Sequence, residues 1–511
     1  MAIKVFSCLV QGLQGKLIEV EADILQGLSA FNIVGLGDAA VQESKERIRS
    51  AIKNSGAIYP QQKKIINLAP ADVHKNGPHF DLPMAIALLA ASGQVPSPPD
   101  AMLVGELALD GTVRPVKGAL SMGIFAQENG WGKIFLPAAN ADEAAFIGKI
   151  KVFPVEKISD LLEHLKGTKE IKPCIKKHAI SEAAQQTIEV DLSDIQGQML
   201  GKRAIEISAA GSHHLLFHGP PGVGKTLLAK ALAGIIPPLS EREKIEVMQV
   251  YSCAGLLQGQ DIFNIQRPFR QIHHSASLAA LVGGGTIPHP GEISLAHHGV
   301  LFLDEIAEFP RAQLEALRQP LEEKRILLAR SAGTILYPAN FTLVAAMNPC
   351  PCGNFGDGEK PCQCTRTQII QYHKKLSGPI LDRFDLMLFV PRQKLSRNNE
   401  NEPVNCMQVR ENVTAAREMQ LERFKGAGIS TNGQMKSREI KKYCPIPVEA
   451  GDLLDDVVQR LHLSARAAHS LIKVSRTIAD LYKRDQVTKE DVGEAIQFRM
   501  APTSPLSLPQ V

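Results

Sequence analysis

Two stretches of this sequence carry residue types whose spacing amounts to chemistry. The first is Gly219-Pro220-Pro221-Gly222-Val223-Gly224-Lys225-Thr226, the pattern G-x-x-x-x-G-K-[ST]. An apolar run at 215–217 precedes it, and Leu227 opens an amphipathic segment after it, the strand-then-helix setting the pattern requires. Glycines at those spacings let backbone N–H groups turn inward around a phosphate, and a helix N-terminus adds positive potential. The expected ligands are ATP and Mg²⁺, with Lys225 reaching the β- and γ-phosphate oxygens and the Thr226 hydroxyl on the metal. Downstream, the apolar run 300–303 ends in Asp304-Glu305. Asp304 is expected to hold Mg²⁺ and Glu305 to polarise the attacking water. A third apolar run, 342–347, ends in Asn348, placed to orient that water or meet the γ-phosphate. Arg383, in Leu381-Asp382-Arg383-Phe384-Asp385, is a candidate cation for transition-state charge. Arg466 opens a later helical segment.

The second stretch is Cys350, Cys352, Cys362 and Cys364, in the order C-x-C-x₉-C-x-C within a Gly/Asp/Pro-rich loop. Four thiols so close can make a tetrahedral sulfur site, for which zinc is the default metal. Free thiols are the bland alternative. Cys8, Cys174, Cys253, Cys406 and Cys444 are scattered and read as packing residues. The histidine pairs His213-His214, His273-His274 and His297-His298 are expected to be structural, because sequence neighbours on a strand point to opposite faces.

The elements that must position these groups fall into units. The chain has 511 residues, too many for one core, and about three domains are expected. Hydrophobic residues at 44% and charged residues at 22% are the balance of a globular protein rather than a disordered one. Residues 1–165 alternate strand-like stretches (17–22, 64–68, 133–137, 150–154) with an amphipathic helix at 39–54 and a buried one at 82–91, the mixture of an α/β or α+β domain. Residues 166–190 read as a polar linker. From 191 to 395 the pattern is strand, Gly-rich turn and helix, repeated. Residues 396–500 read as helices at 408–424, 450–462, 465–482 and 489–498, with Thr488 as an N-cap and Asp491 at its third position. Residues 501–511 are a Pro-rich tail.

Composition closes other classes. The longest apolar run, near 84–91, is far too short for a bilayer, and no signal-peptide pattern opens the chain, so a cytoplasmic location is expected and nine cysteines do not argue for disulfides. A net charge of +4 permits nucleic acid without requiring it, and 5% aromatics argue against a base-stacking platform.

Longer motifs carry a resemblance. Arg267-Pro268-Phe269-Arg270, His273-His274, Leu281-Val282-Gly283-Gly284-Gly285 and the run from Pro290 to Glu305 resemble magnesium-chelatase-like AAA+ ATPases. Phe31–Leu36, Asn67–Asp72 and Phe80–Pro83 narrow the likeness to the YifB/ComM family. The resemblance implies an α/β chain with a Lon-protease-like α+β N-terminal domain, an AAA+ P-loop core with a parallel sheet, and a C-terminal helical lid. It implies a ring, usually a hexamer, acting on single-stranded or branched DNA as a helicase in branch migration and natural transformation. Arg383 would be the finger inserted into a neighbour's site, and Arg466 the lid sensor. Residues 281–292 would form a loop toward the ring axis. Residues 324–338 would form a hairpin turning at Ser331, with Lys324, Arg325 and Arg330 offering charge to a phosphate backbone.

Residues 105–118 resemble a stretch of Lon-type proteases, which use a serine and a lysine. Here His79 follows Asn76-Gly77-Pro78 where the serine would fall, and Leu120 stands at the lysine position. Peptidase chemistry is therefore not expected. Two other classes stay open: a chelatase motor remodelling a metal-inserting partner, and a chaperone remodelling protein. A response of the ATPase to DNA separates them from a DNA motor.

Overall fold

A computed structural model describes residues 2–174, 189–257, 265–285, 288–330, 333–393 and 405–499. Most of the linker expected at 166–190, most of the connector after 391 and the tail lie outside the described residues.

The N-terminal unit is built on a mixed seven-stranded sheet. Its long hairpin, Ile3–Gln11 with Gln14–Leu25, pairs on one side with Lys63–Ala69 and on the other with Ala101–Leu103. Lys133–Pro137 and Lys151–Val155 extend the latter side in parallel. The sequence pattern marks most of these strands but misses the short Ala101–Leu103 and the long Ile3–Gln11. There Val5, Ser7, Cys8 and Leu9 are all buried, so consecutive residues are covered on both faces and the period of two is lost. The amphipathic helix Ala39–Asn54 packs on Asp81–Ala91. The latter is apolar all round because it is covered all round.

The central unit holds a five-stranded, all-parallel sheet in the order Phe269–Ile272, Val300–Leu303, Thr342–Met347, Leu215–His218, Leu386–Phe389. The three inner strands carry apolar runs because helices and loops cover both faces. Parallel strands put all their carboxyl ends along one edge, where ligands bind in open α/β sheets. The segment expected as a loop at 281–292 is instead a small ribbon, Gly283–Gly284 with His289–Pro290, flanked by the short helices Leu278–Val282 and Glu292–Leu295.

The C-terminal helices are Cys406–Arg423, Ser437–Tyr443, Val448–Arg460, Ala465–Leu481 and Lys489–Gln497. Ser437–Tyr443 is the one that the sequence pattern does not mark, being short with a single buried residue, Ile440. The Thr488 cap is present, and the Asp491 carboxylate accepts from the Thr488 backbone N–H at 2.8 Å. These helices share one apolar core with the central sheet: Val413, Leu471, Val474 and Ile478 lie in the cluster that holds Phe217, Phe302 and Val344. His213, fully buried, ties the two together between Asp385 (3.2 Å) and Thr477 (2.7 Å).

Asp480 organises the helices. Its carboxylate accepts from Arg423 (2.5 and 2.8 Å), Arg476 (2.9 and 3.1 Å) and Asn432 (2.8 Å), and Arg476 is itself sealed from solvent. Asp480→Ala strands that guanidinium in a low-dielectric interior. The expected loss is about 3–5 kcal/mol, seen as a lowered thermal unfolding midpoint; an unchanged midpoint would show the network to be dispensable.

Candidate nucleotide site

The phosphate loop leaves the sheet at its centre. Gly219 follows the strand Leu215–His218, and its N–H bonds Met347 O on the neighbouring strand at 3.2 Å. A Cβ at 219 would lie 2.2 Å from Val390 O, so only glycine lets the chain pass between the two neighbouring strands. Gly222 (φ +78°) and Gly224 (φ +93°) take backbone angles that side chains resist. The helix Lys225–Ile235 starts at once. Leu227 is in its first turn with an exposed side chain.

Lys225 is turned back under the loop. Its ammonium donates to Gly219 O (2.6 Å), Pro220 O (2.8 Å) and Asn348 Oδ1 (3.2 Å). All three are neutral acceptors, and burial pulls its pKa down to about 8, against the pull of Asp304 and Glu305. A buried cation whose hydrogen bonds all go to neutral oxygens suits a polyphosphate, which brings the missing negative charge. Thr226 Oγ1 donates to Asp304 Oδ2 at 3.3 Å. A hydroxyl and a carboxylate are the hard oxygen donors that Mg²⁺ takes, so these residues fit that ion.

Asp304 and Glu305 are separated by a sharp turn. Glu305 has φ +51°, a left-handed conformation unusual for this residue. The Asp304 side chain is thereby directed to Thr226, while Glu305 stays half-exposed with its carboxylate 3.7 Å from His274 Nδ1. Sequence reasoning missed His274 as a site residue. The signal lies in the sheet register: Ile272 pairs with Leu303, so two residues further on His274 falls beside Glu305. Asn348 reaches the site as expected from its position, at the end of the strand next to the one that delivers Asp304.

Arg383 and Arg466 lie elsewhere. Arg383 is buried, donates to Glu322 (2.5 Å) and to the Pro379 carbonyl, and its Nε finds no partner among the described residues. Arg466 donates to the same Glu322 oxygen at 3.0 Å. Among the described residues neither arginine bonds a phosphate-loop group. Nothing local in the sequence distinguishes Glu322 from Glu323, so its part in this corner is visible only in the fold.

The hairpin forms from Arg325–Arg330 and Gly333–Pro338; its turn at Ser331 and the side chain of Arg330 lie outside the described residues. Lys324 departs from expectation. It ends the helix Arg318–Glu323 in a left-handed conformation (φ +57°) and lines a cavity facing Ser430 and Thr431 of the C-terminal unit, so it is not part of the hairpin's outer face. Arg325 is exposed and paired with Glu323. Leu327 and Leu336, opposite each other in register, are also exposed.

The hairpin's other side meets the N-terminal unit. Ile335 and Tyr337 join Asn76, Gly77, Pro78, His79 and Lys117 around a cavity of 390 Å³. His79 is held neutral by burial, its pKa lowered to about 4, and Leu120 is buried against Met248. The thiol lining the cavity, Cys253, is pushed up to about 12 by burial, which removes its nucleophilic form.

The histidine pairs correct the sequence reading in part. His297 and His298 do not diverge: His298 has φ +56°, and both Nε2 atoms converge on Glu246 Oε2 at 3.2 and 2.7 Å. The Asn340 N–H bonds His297 Nδ1, so Nε2 carries the proton it shares with Glu246. Hydrogen bonds from the two imidazoles hold that carboxylate well below its usual range.

The four cysteine sulfurs gather. Cys350, Cys352 and Cys362 are 3.3–3.6 Å apart, and all four Sγ atoms lie within 4.8 Å of one another. Among the described residues no two cysteines are joined in a disulfide.

A parallel sheet with its phosphate loop on an inner strand, acidic residues on the next strand but one and a helical unit packed behind define an AAA+ P-loop protein. Family models described as magnesium chelatase subunit ChlI match residues 191–398 and 20–140, and one for its C-terminal part matches 404–499. The chain is 44% identical to YifB of Salmonella typhimurium over 96% of its own length and 95% of that protein's. It is 42% identical to the competence protein ComM of Haemophilus influenzae over 97% of each. A shorter match, 29% identity over 31% of each chain, is to Lon protease 2 of Bacillus subtilis. The chain belongs to the YifB/ComM family of magnesium-chelatase-like AAA+ proteins. That family implies ATP and Mg²⁺ at the loop just described. Among the described residues no helix is long and apolar enough to cross a membrane.

Proposed function

We propose that the protein is a cytoplasmic ATP-hydrolysing motor that assembles as a hexameric ring and moves along single-stranded or branched DNA, in helicase or branch-migration work of the kind recombination and natural transformation need. The observation that carries the ATPase is the meeting of Lys225, Thr226, Asp304 and Asn348 at one sheet edge. The DNA substrate rests on the near full-length likeness to a competence protein. ATP, Mg²⁺ and a structural zinc ion on Cys350, Cys352, Cys362 and Cys364 make up its cofactors.

In this reading Lys225 exchanges its carbonyl partners for phosphate oxygens. Thr226 and Asp304 would hold Mg²⁺, which when bound would neutralise charge on the phosphates. Glu305 takes a proton from water as that water attacks the terminal phosphorus, and ADP leaves. Asn348 fixes the geometry between Lys225 and the water. Arg383, held on Glu322 away from its own loop, acts on the nucleotide of the adjoining subunit, and Arg466, on the same carboxylate, is the sensor arginine of the lid. Arg383→Ala is therefore expected to leave nucleotide affinity within about threefold while turnover of the assembled protein falls by about 10³-fold, the usual weight of such a finger. Full turnover in this variant rules out the assignment.

A second reading, an ATPase that remodels a protein partner, is favoured by the match of all three units to chelatase subunit models. Measuring ATP hydrolysis with and without single-stranded and branched DNA decides between them. Stimulation supports the DNA motor, and indifference to both supports the protein remodeller.

A further inference from the structure

Resting on the zinc reading above, we infer that the four-cysteine knot is the outer brace of the phosphate loop, so that zinc occupancy sets how well the protein holds nucleotide. The geometry of the knot suits the ion. Tetrahedral zinc with Zn–S bonds near 2.3 Å places its sulfurs about 3.8 Å apart. The spacings of 3.3–3.6 Å among Cys350, Cys352 and Cys362 are close to that edge and far from a disulfide. The Cys364 N–H points at Cys362 Sγ at 3.4 Å, the type of outer contact that steadies a thiolate ligand.

The knot is pressed against the nucleotide site from two directions. Cys350 follows Asn348 by two residues, and the intervening Pro349 carbonyl is fixed by His373 Nε2 at 3.0 Å. Asn348 is the side chain that receives the Lys225 ammonium. Gly353, with φ +80°, lies against the phosphate loop itself: a Cβ there would come within 2.9 Å of Pro221 Cδ. On the far side Asp357 is paired with Arg392 at 3.1 Å, and Gly356 faces Phe389, so the knot is anchored to the end of the sheet's outer strand. Metal ligation closes this segment at four points. Without it the segment regains loop entropy, and both Pro221 and Asn348 lose the surface that fixes them.

The test uses the full chain. Metal content is measured by mass spectrometry, and affinity for a fluorescent ADP analogue is measured before and after zinc is stripped with a chelator and then restored. The expected results are one zinc per chain, about tenfold weaker nucleotide binding in the stripped protein, and recovery on adding Zn²⁺. Cys352→Ser with Cys362→Ser should reproduce the weak state without recovery. Circular dichroism on each sample separates local loosening from unfolding, and a stripped protein that stays folded keeps the comparison valid where the double variant fails to fold. Protein that carries no zinc as purified and takes up none on reconstitution overturns the zinc reading itself. Protein that holds zinc, yet binds nucleotide equally well with and without it, leaves the metal site standing and overturns the brace.

Discussion

Lys225→Met is expected to weaken nucleotide binding by orders of magnitude while leaving the nucleotide-free protein as stable as the parent, or more so. The two effects have one cause. The ammonium sits buried on Gly219 O, Pro220 O and Asn348 Oδ1, and desolvation lowers its pKa to about 8. In the free protein that charge is a burden, and an unbranched apolar side chain of similar length relieves it. In the complex the same charge meets phosphate oxygens in a low-dielectric site. Charge-assisted hydrogen bonds contribute about 1.5–3 kcal/mol each, so losing two of them weakens binding by about 10²–10⁴-fold. Titration with a fluorescent nucleotide, beside thermal unfolding in its absence, reads both effects. Saturable binding at the parent's affinity would remove Lys225 from the site.

Glu305→Gln is expected to keep nucleotide affinity and lose turnover. Among the described residues Glu305 bonds no phosphate-loop group. Its carboxylate faces outward near His274, and its backbone N–H is satisfied by Asp304 Oδ1 at 3.0 Å. The amide replacement preserves shape and removes the base. General-base catalysis contributes about 10²–10⁴-fold, and steady-state ATP hydrolysis should fall by that factor while the variant accumulates bound ATP. A fall of less than about tenfold would mean that another group activates the water.

The parts of this site that rest on local sequence are legible in the residues alone. The glycine spacing, Lys225 and Thr226, the acidic pair after an apolar strand, Asn348 and the cysteine cluster each depend on neighbours within a few residues. The same holds for the helix Ala39–Asn54 and the Thr488 cap. What sequence does not reveal depends on distant pairings. His274 joins Glu305 only through strand register, and Glu322 matters only because Arg383 and Arg466, from segments far apart in the chain, both turn to it. His297 and His298 mislead because their rule assumes a strand, whereas a left-handed residue turns both rings to one carboxylate. Lys324 misleads for a related reason: a left-handed helix end, not the hairpin, sets its direction.

A single carboxylate cannot neutralise two guanidinium groups, so the corner built on Glu322 keeps a standing surplus of positive charge. Two copies meeting through that corner face to face would set surplus against surplus. Copies meeting head to tail bring it instead toward whatever anion the next molecule carries at its sheet edge. Should copies of this chain meet through this surface, charge would disfavour a two-fold pair and favour a repeating, one-directional contact, the kind of interface that closes into a circle when the rotation permits.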